Sequence, residues 1–60
     1  MNEWKGKHCK IFVRNLISYK PIIYTAIVLD VDGDFITICD KNNERISINI
    51  KDIIQIREER

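Results

Sequence analysis

The sequence predicts an all-β fold in which five strands form a strongly bent antiparallel sheet that closes into a small barrel. First, apolar residues recur at every second position in five short runs, which is the period of a half-buried strand. Second, β-branched residues dominate these runs, and turn residues separate them. Third, a length of 60 residues predicts one domain, spanning residues 1–60.

The first half of the chain predicts a short strand, a connection and a long strand. Alternation of apolar residues predicts the first strand near residues 7–14. The alternation breaks at residues 15–21, where Pro21 cannot donate to a strand ladder. The second strand is expected over residues 22–31, with its odd-numbered residues on one face and its even-numbered residues on the other.

Two turn signals organise the second half of the chain. Asp32-Gly33 favours the positive φ of a tight hairpin, so the second and third strands should pair antiparallel. A second turn is expected at residues 41–44, because its asparagines tolerate left-handed backbone conformations. The last three strands are therefore expected at residues 34–39, 45–50 and 53–57.

The third predicted strand carries apolar side chains on both of its faces. Phe35 and Cys39 point one way, and Ile36 and Ile38 point the other. Two explanations for the second pair remain open. Either the bent sheet of the same chain covers them, or a neighbouring subunit does so through contacts at strand edges.

The chain is small for a stable domain, because about 60 residues bury only about 60% of the surface that the unfolded chain exposes. Two cysteines and one histidine are too few for a structural zinc site or a disulfide framework. We therefore expect a homo-oligomer that forms through strand edges. At the N-terminus at most one short helical turn is expected, with Trp4 covering one open end of the barrel.

The sequence predicts a cytoplasmic protein. No run approaches the roughly 18 apolar residues of a membrane helix, and the N-terminus lacks the apolar core of a signal peptide. We accordingly expect no membrane partner. Cys9 and Cys39 should then be reduced and serve as small apolar residues of the core.

Charge and composition predict a non-catalytic protein without a metal, a cofactor or a small-molecule substrate. His8 is the only histidine, and its neighbour Cys9 would point to the opposite face of the strand. The aspartates near residues 30–40 do not fit a calcium loop, which would need glycine in place of Phe35 and glutamate in place of Lys41. A net charge of +1 disfavours a protein dedicated to coating DNA.

Residues 24–39 resemble the first sequence signature of the Sm-like family. The matching positions, aligned without a gap, are Tyr24, Val28, Val31 and Asp32. Ala26 stands where the family has glycine, and Phe35 stands where it has methionine. Sm-like proteins are SH3-like barrels of bent sheet that close into rings and bind RNA. The resemblance therefore implies an SH3-like, Sm-like barrel that forms a ring and binds RNA.

The residues that would contact RNA depart from the family pattern. Asp32 matches the aspartate that orders the loop of the nucleotide pocket. Asp34 takes the position of the stacking residue, Ile36 that of the base-reading asparagine, and Asn49 that of an arginine. An aspartate repels phosphate and an isoleucine cannot read a base edge, so we expect the uridine pocket not to be preserved. Asn49 keeps hydrogen-bonding capacity.

The first third of the chain predicts a surface for phosphate groups and stacked bases. Half of the ten basic residues lie there, with Glu3 as the only acid, and aromatic residues interleave with them. The candidate nucleic-acid-binding residues are Lys5, Lys7, Lys10, Arg14, Tyr19, Lys20, Asp32, Asp34 and Asn49. The alternative for the lysines is the solvated outer face of the first strand.

The leading hypothesis for function is RNA binding by a homo-oligomer of Sm-like subunits. Lysine and arginine side chains with exposed aromatics would make the contacts in place of the usual pocket. The alternative is a protein-interaction or scaffolding module that uses the barrel and its strand edges without nucleic acid. A dedicated binder of duplex DNA is a third hypothesis, disfavoured by a pI near 7.8.

Overall fold

The computed structural model describes residues 2–59, so the two ends of the predicted domain, Met1 and Arg60, lie outside the described residues. The all-β prediction is confirmed, and each strand boundary lies within one residue of its expected position. The strands are β1 His8–Val13, β2 Ile22–Asp32, β3 Phe35–Asp40, β4 Arg45–Asn49 and β5 Ile53–Glu58. The described helices are two three-residue 3₁₀ turns, Asn2–Trp4 and Ile50–Asp52, and neither is long enough to cross a membrane.

The five strands form one antiparallel sheet in the order β4-β3-β2-β1-β5. Consecutive strands are neighbours from β1 to β4, and β5 returns to pair with β1. Within residues 2–59, no strand pairs with the outer edge of β4 or of β5. The sheet is therefore open, and the predicted closure into a barrel is not confirmed.

The core lies on one face of the sheet and consists of apolar side chains from β1 to β4. Its buried members are Cys9, Ile11, Val13, Ala26, Val28, Ile36, Ile38 and Ile48. Ile36 and Ile38 are fully buried, so the chain itself covers the face of β3 for which two explanations were open. Trp4 is half-buried and packs against this core. No polar side chain is buried in the part of the chain for which burial is described.

A β-bulge in β2 corrects the predicted faces of this strand. Val28 pairs with Ile38 and Asp30 pairs with Thr37, which leaves Leu29 as an extra residue. Strict alternation placed Val31 on the face opposite Val28, but beyond the bulge Val31 packs against the same core. The alternation does not reveal the bulge, because Val28, Leu29 and Val31 are all aliphatic and fit a regular strand equally well.

The two predicted turns have the expected backbone conformations. Gly33 takes a φ of 58° in the hairpin between β2 and β3, and two-residue hairpins favour glycine at this position. Asn43 takes a φ of 65° in the turn between β3 and β4. The Asp40 carboxylate stabilises this second turn by accepting hydrogen bonds from the N–H groups of Asn42 and Glu44, at 2.9 and 3.0 Å.

The 3₁₀ turn Ile50–Asp52 joins two distant parts of the sheet. The Ile50 N–H donates to the carbonyl of Asp34 in the β2–β3 hairpin, at 2.8 Å. The carbonyl of Asp52 accepts from the N–H of Arg14 at the end of β1, at 2.7 Å. This turn therefore places the hairpin, the end of β4 and the end of β1 along one continuous rim, which we call the hairpin rim.

Replacement of a core residue tests this packing. We expect Ile38→Ala to lower the free energy of unfolding by about 2–5 kcal/mol, because it removes fully buried methyl groups and leaves a cavity. The matched control is Ile17→Ala, in a side chain that is 97% exposed, where a change within about 0.5 kcal/mol is expected. Urea unfolding followed by circular dichroism measures both, and equal effects would contradict the assigned core.

Candidate nucleic-acid interface

The structure distributes the predicted nucleic-acid-binding residues over three separate places. Lys5 and Lys7 lie in the segment that precedes β1, and Lys10 lies on the sheet face opposite the core. A second group, formed by Arg14, Tyr19 and Lys20, lies in the connection between β1 and β2. The third group, formed by Asp32, Asp34 and Asn49, lies at the hairpin rim. A single continuous site containing all nine residues is therefore not formed by one chain.

Lys5 and Lys7 are held by carboxylates of the same chain. The Lys5 ammonium lies 3.6 Å from the Asp30 carboxylate, and the Lys7 ammonium lies 3.5 Å from the Glu58 carboxylate. These pairs are exposed, and such pairs contribute about 0–1 kcal/mol. The N-terminal segment is attached to β2 by backbone hydrogen bonds, in which the Gly6 N–H donates to the Val28 carbonyl at 2.7 Å and the Val28 N–H donates to the Lys7 carbonyl at 3.1 Å. Because of their ion pairs, the two lysines offer less positive charge to a phosphate than their sequence positions suggested.

Lys10 belongs to a mixed basic and aromatic surface on the outer face of the sheet. It pairs with Thr25 on β2 and with Arg57 on β5. The Arg57 guanidinium lies 5.4 Å from the ring centroid of Phe12, within the range of a cation–π contact. Arg57 could not be assigned to this surface from the sequence, because only the pairing of β5 with β1 brings Arg57 beside Lys10.

The connection between β1 and β2 presents Arg14, Tyr19 and Lys20 to solvent. All three side chains are exposed, and within residues 2–59 neither basic side chain forms an ion pair. The backbone of Arg14 is fixed by its hydrogen bond to Asp52. Among the predicted basic residues, Arg14 and Lys20 are thus the most available to an anionic ligand.

The third group, formed by Asp32, Asp34 and Asn49, is positioned by the pairing of β2, β3 and β4. Asp32 pairs with Phe35 across the hairpin, and Phe35 pairs with Asn49 on β4. The Asn49 side-chain oxygen accepts a hydrogen bond from the N–H of Lys51 at 3.0 Å, so it caps the following turn. Ile36, at the base-reading position, is fully buried and cannot contact a ligand. Two carboxylates and a capping amide give this group no capacity to bind phosphate.

A small cleft of about 150 Å³ contains both His8 and Cys39. His8 pairs with Ile27 and Ile27 pairs with Cys39, so one strand separates the two side chains. The Cys39 thiol donates to the Asn43 side-chain oxygen at 3.4 Å. His8 and Cys39 therefore do not form a nucleophile and base pair, and the absence of enzymatic activity stays a prediction.

The two cysteines differ in their surroundings. Cys9 is fully buried, and burial raises the pKa of its thiol above the ordinary value of 9.0, with the Glu58 carboxylate adding to this effect and Lys7 opposing it. The unfolded chain would ionise this thiol near pH 9.0 while the folded chain keeps it neutral. Cys9 therefore favours the folded state below that pH, and this contribution is lost as the pH rises further. Both cysteines are free.

Metal binding has no candidate in the described part of the chain. No group of three or more histidine, cysteine, aspartate or glutamate residues within residues 2–59 is arranged to hold an ion. The absence of a metal or a cofactor remains a prediction.

Comparisons with models of known protein families, with curated proteins and with solved structures found no match for this chain. The Sm-like resemblance therefore stays a prediction from the residues that carry it.

Thiol labelling tests the difference between the cysteines. At pH 8 we expect an aromatic disulfide reagent to modify Cys39 readily. Cys9 should react only after unfolding, because its thiol is buried and the pKa of that thiol is raised. The Cys39→Ser variant should then show almost no reaction under native conditions, and Cys9→Ser should react like the wild type. Rapid modification of Cys9 in the folded protein would contradict its assigned place in the core.

Proposed function

We propose that this chain is an Sm-like subunit with an SH3-like barrel that assembles into a homo-oligomer through β4 and β5 and binds RNA without catalysis. The observation that carries this proposal is the strand order, which leaves both edges of the sheet unpaired within the described residues. Unpaired edges present rows of backbone N–H and C=O groups that another strand can satisfy. Contact between β4 of one copy and β5 of the next uses two different surfaces, and repetition of such a contact forms a ring where the rotation between copies closes.

The size and exposed side chains of the chain support assembly. A 60-residue domain has a small core, and pairing of strand edges between copies would add both hydrogen bonds and buried apolar area. Ile54 on the edge strand β5 is 63% exposed, and Phe35, beside β4, is 50% exposed. Ile54 is the extra residue of a β-bulge opposite β1, so the regular part of the β5 edge runs over residues 55–58.

RNA binding is supported by the charges of the first half of the chain. No aspartate or glutamate occurs between Glu3 and Asp30, and this stretch contains five of the ten lysine and arginine residues. Arg14, Lys20 and Tyr19 are exposed there together, which suits phosphate contacts and base stacking. In a ring, several copies of this segment would act on one strand of RNA, so weak individual contacts would combine.

The buried position of Ile36 determines the kind of RNA contact that we propose. A base-reading pocket at the hairpin rim is excluded by that burial and by the carboxylates of Asp32 and Asp34. Contacts would therefore go to phosphates and to the faces of bases. Little preference for base sequence is expected from contacts of this kind.

The second candidate function is a protein-interaction or scaffolding module. The net charge of +1 and the exposed aliphatic side chains Leu16 and Ile17 favour it. Its binding would respond little to salt, because burial of apolar surface releases no counterions. Salt dependence consequently separates the two functions.

Assembly can be tested with a charge at the strand edge. We expect native mass spectrometry of the wild type to show one discrete multiple of 7.1 kDa. Ile54→Lys should shift the protein toward the monomer, because it replaces an exposed apolar side chain beside the regular part of the edge with a charge that opposes burial between copies. Ile17→Lys is the matched control and should leave the assembly unchanged. A wild-type protein that remains monomeric at every concentration would contradict the proposal.

RNA binding can be tested through its salt dependence. We expect oligo-U, oligo-A and mixed RNA to bind with similar affinity in fluorescence polarisation, and binding to weaken steeply as salt rises. Arg14→Gln combined with Lys20→Gln should reduce the slope of log affinity against log salt by about 1.4, which corresponds to two lost phosphate contacts. Lys41→Gln combined with Lys51→Gln removes the same charge elsewhere and should retain the slope. Absence of binding to all three RNAs at low salt would rule out RNA as the ligand.

A further inference from the structure

The connection between β1 and β2, residues 14–21, carries an exposed apolar tip. Leu16, Ile17 and Tyr19 are 88%, 97% and 108% exposed, so these side chains make almost no contact with the rest of the molecule. Large apolar side chains grouped in this way mark surfaces that bind a partner or a membrane. We refer to residues 14–21 as the apolar loop.

Two N–H groups of the apolar loop are satisfied by side chains of the loop itself. The N–H of Ile17 donates to the Asn15 side-chain oxygen at 3.0 Å, and the N–H of Lys20 donates to the Ser18 hydroxyl oxygen at 3.3 Å. Pro21 has no N–H group. Since an unsatisfied backbone donor is costly in an apolar medium, these local bonds remove that cost at Ile17 and Lys20.

The basic side chains beside the apolar tip favour binding to an anionic surface. Arg14 and Lys20 flank the apolar side chains, and neither forms an ion pair among residues 2–59. The loop itself contains no acid. Asp52 approaches Arg14 through a backbone hydrogen bond only, because its carbonyl, and not its carboxylate, accepts from the Arg14 N–H. An apolar tip with flanking cations is complementary to a bilayer with anionic headgroups.

We propose that the apolar loop inserts its tip into the interface of anionic phospholipid membranes. Leu16 and Ile17 enter the boundary between headgroups and acyl chains, Tyr19 lies at the headgroup level, and Arg14 and Lys20 contact the anionic headgroups. The expectation of no membrane partner rested on the lack of a spanning segment, and an inserted loop needs none.

The shape and chemistry of the tip favour a membrane over other partners. Leu16, Ile17 and Tyr19 make almost no contact with the rest of the chain, and a fluid bilayer adapts to the shape of such side chains. Leu16 and Ile17 can neither stack on bases nor form hydrogen bonds with them, so RNA would leave them exposed. A cyclic assembly of the kind proposed above would place every copy of the loop on one side of the ring and strengthen the attachment, but insertion of a single loop does not depend on it.

Vesicle co-sedimentation tests the proposal. We expect the wild-type chain to bind vesicles of phosphatidylcholine with phosphatidylglycerol, and to bind pure phosphatidylcholine at least about tenfold more weakly. Leu16→Ser combined with Ile17→Ser should weaken binding to anionic vesicles at least about tenfold, because it removes the buried apolar area. These side chains are exposed, so the thermal unfolding midpoint should stay unchanged.

Two further variants separate charge from insertion. Arg14→Gln with Lys20→Gln should weaken binding to anionic vesicles, whereas Lys41→Gln with Lys51→Gln should not. In Tyr19→Trp, brominated lipid should quench the new tryptophan, whereas Trp4, which packs against the core, should be spared.

Two results would contradict membrane insertion by the apolar loop. The proposal would be overturned by absence of binding to anionic vesicles at low salt, or by equal binding of the wild type and the Leu16→Ser, Ile17→Ser variant. A loss of RNA binding in that variant without a loss of vesicle binding would assign the tip to RNA instead. We expect the reverse result, in which the Leu16→Ser, Ile17→Ser variant loses vesicle binding and keeps RNA binding. Failure of membrane insertion can then be distinguished from failure of RNA binding.

Discussion

The hydrogen-bonding groups along the outer edges of β4 and β5 set the main constraint on this molecule. Backbone N–H and C=O groups are obligatory hydrogen-bonding groups, and a sheet in the order β4-β3-β2-β1-β5 leaves two rows of them without a strand partner among residues 2–59. The eight apolar side chains that are buried among the described residues form a small core. A fold with this combination gains both stability and backbone partners when strands of separate copies pair, and the proposed assembly follows from that gain.

Hydrogen bonds at the hairpin rim connect distant strands of the open sheet. They also determine which polar side chains there remain free to contact a ligand. The turn Ile50–Asp52 is bonded to Asp34 at its start and to Arg14 at its end, and the Asn49 side chain caps it. This arrangement uses Asn49 for structure. It also places the acidic hairpin at one end of the hairpin rim and Arg14 of the apolar loop at the other. Two basic side chains without an ion pair among residues 2–59 and three exposed apolar side chains lie in residues 14–21, outside the pocket positions that the Sm-like resemblance would suggest.

The strands and turns of this chain could be predicted from the sequence because they depend on local signals. Alternation identified the strands, and Gly33 and Asn43 adopt the positive φ values that their residue types favour. The bulge at Leu29 could not be predicted, since the aliphatic residues Val28, Leu29 and Val31 fit a regular strand as well as a bulged one. The ion pairs of Lys5 and Lys7, the cap formed by Asn49 and the place of Arg57 over Phe12 depend on contacts between distant segments. These contacts determine which candidate residues remain available to a ligand. Because they depend on the folded arrangement of distant segments, the site was predicted less well than the fold.

Nuclear magnetic resonance on a mixture of isotopically labelled and unlabelled chains tests pairing between the edges most directly. We predict nuclear Overhauser effects between backbone protons of β4 in one copy and β5 in another, together with slow hydrogen exchange of edge amides on both strands. Nuclear Overhauser effects confined to proton pairs within one chain, with fast hydrogen exchange of the amides along both outer edges, would contradict pairing between copies.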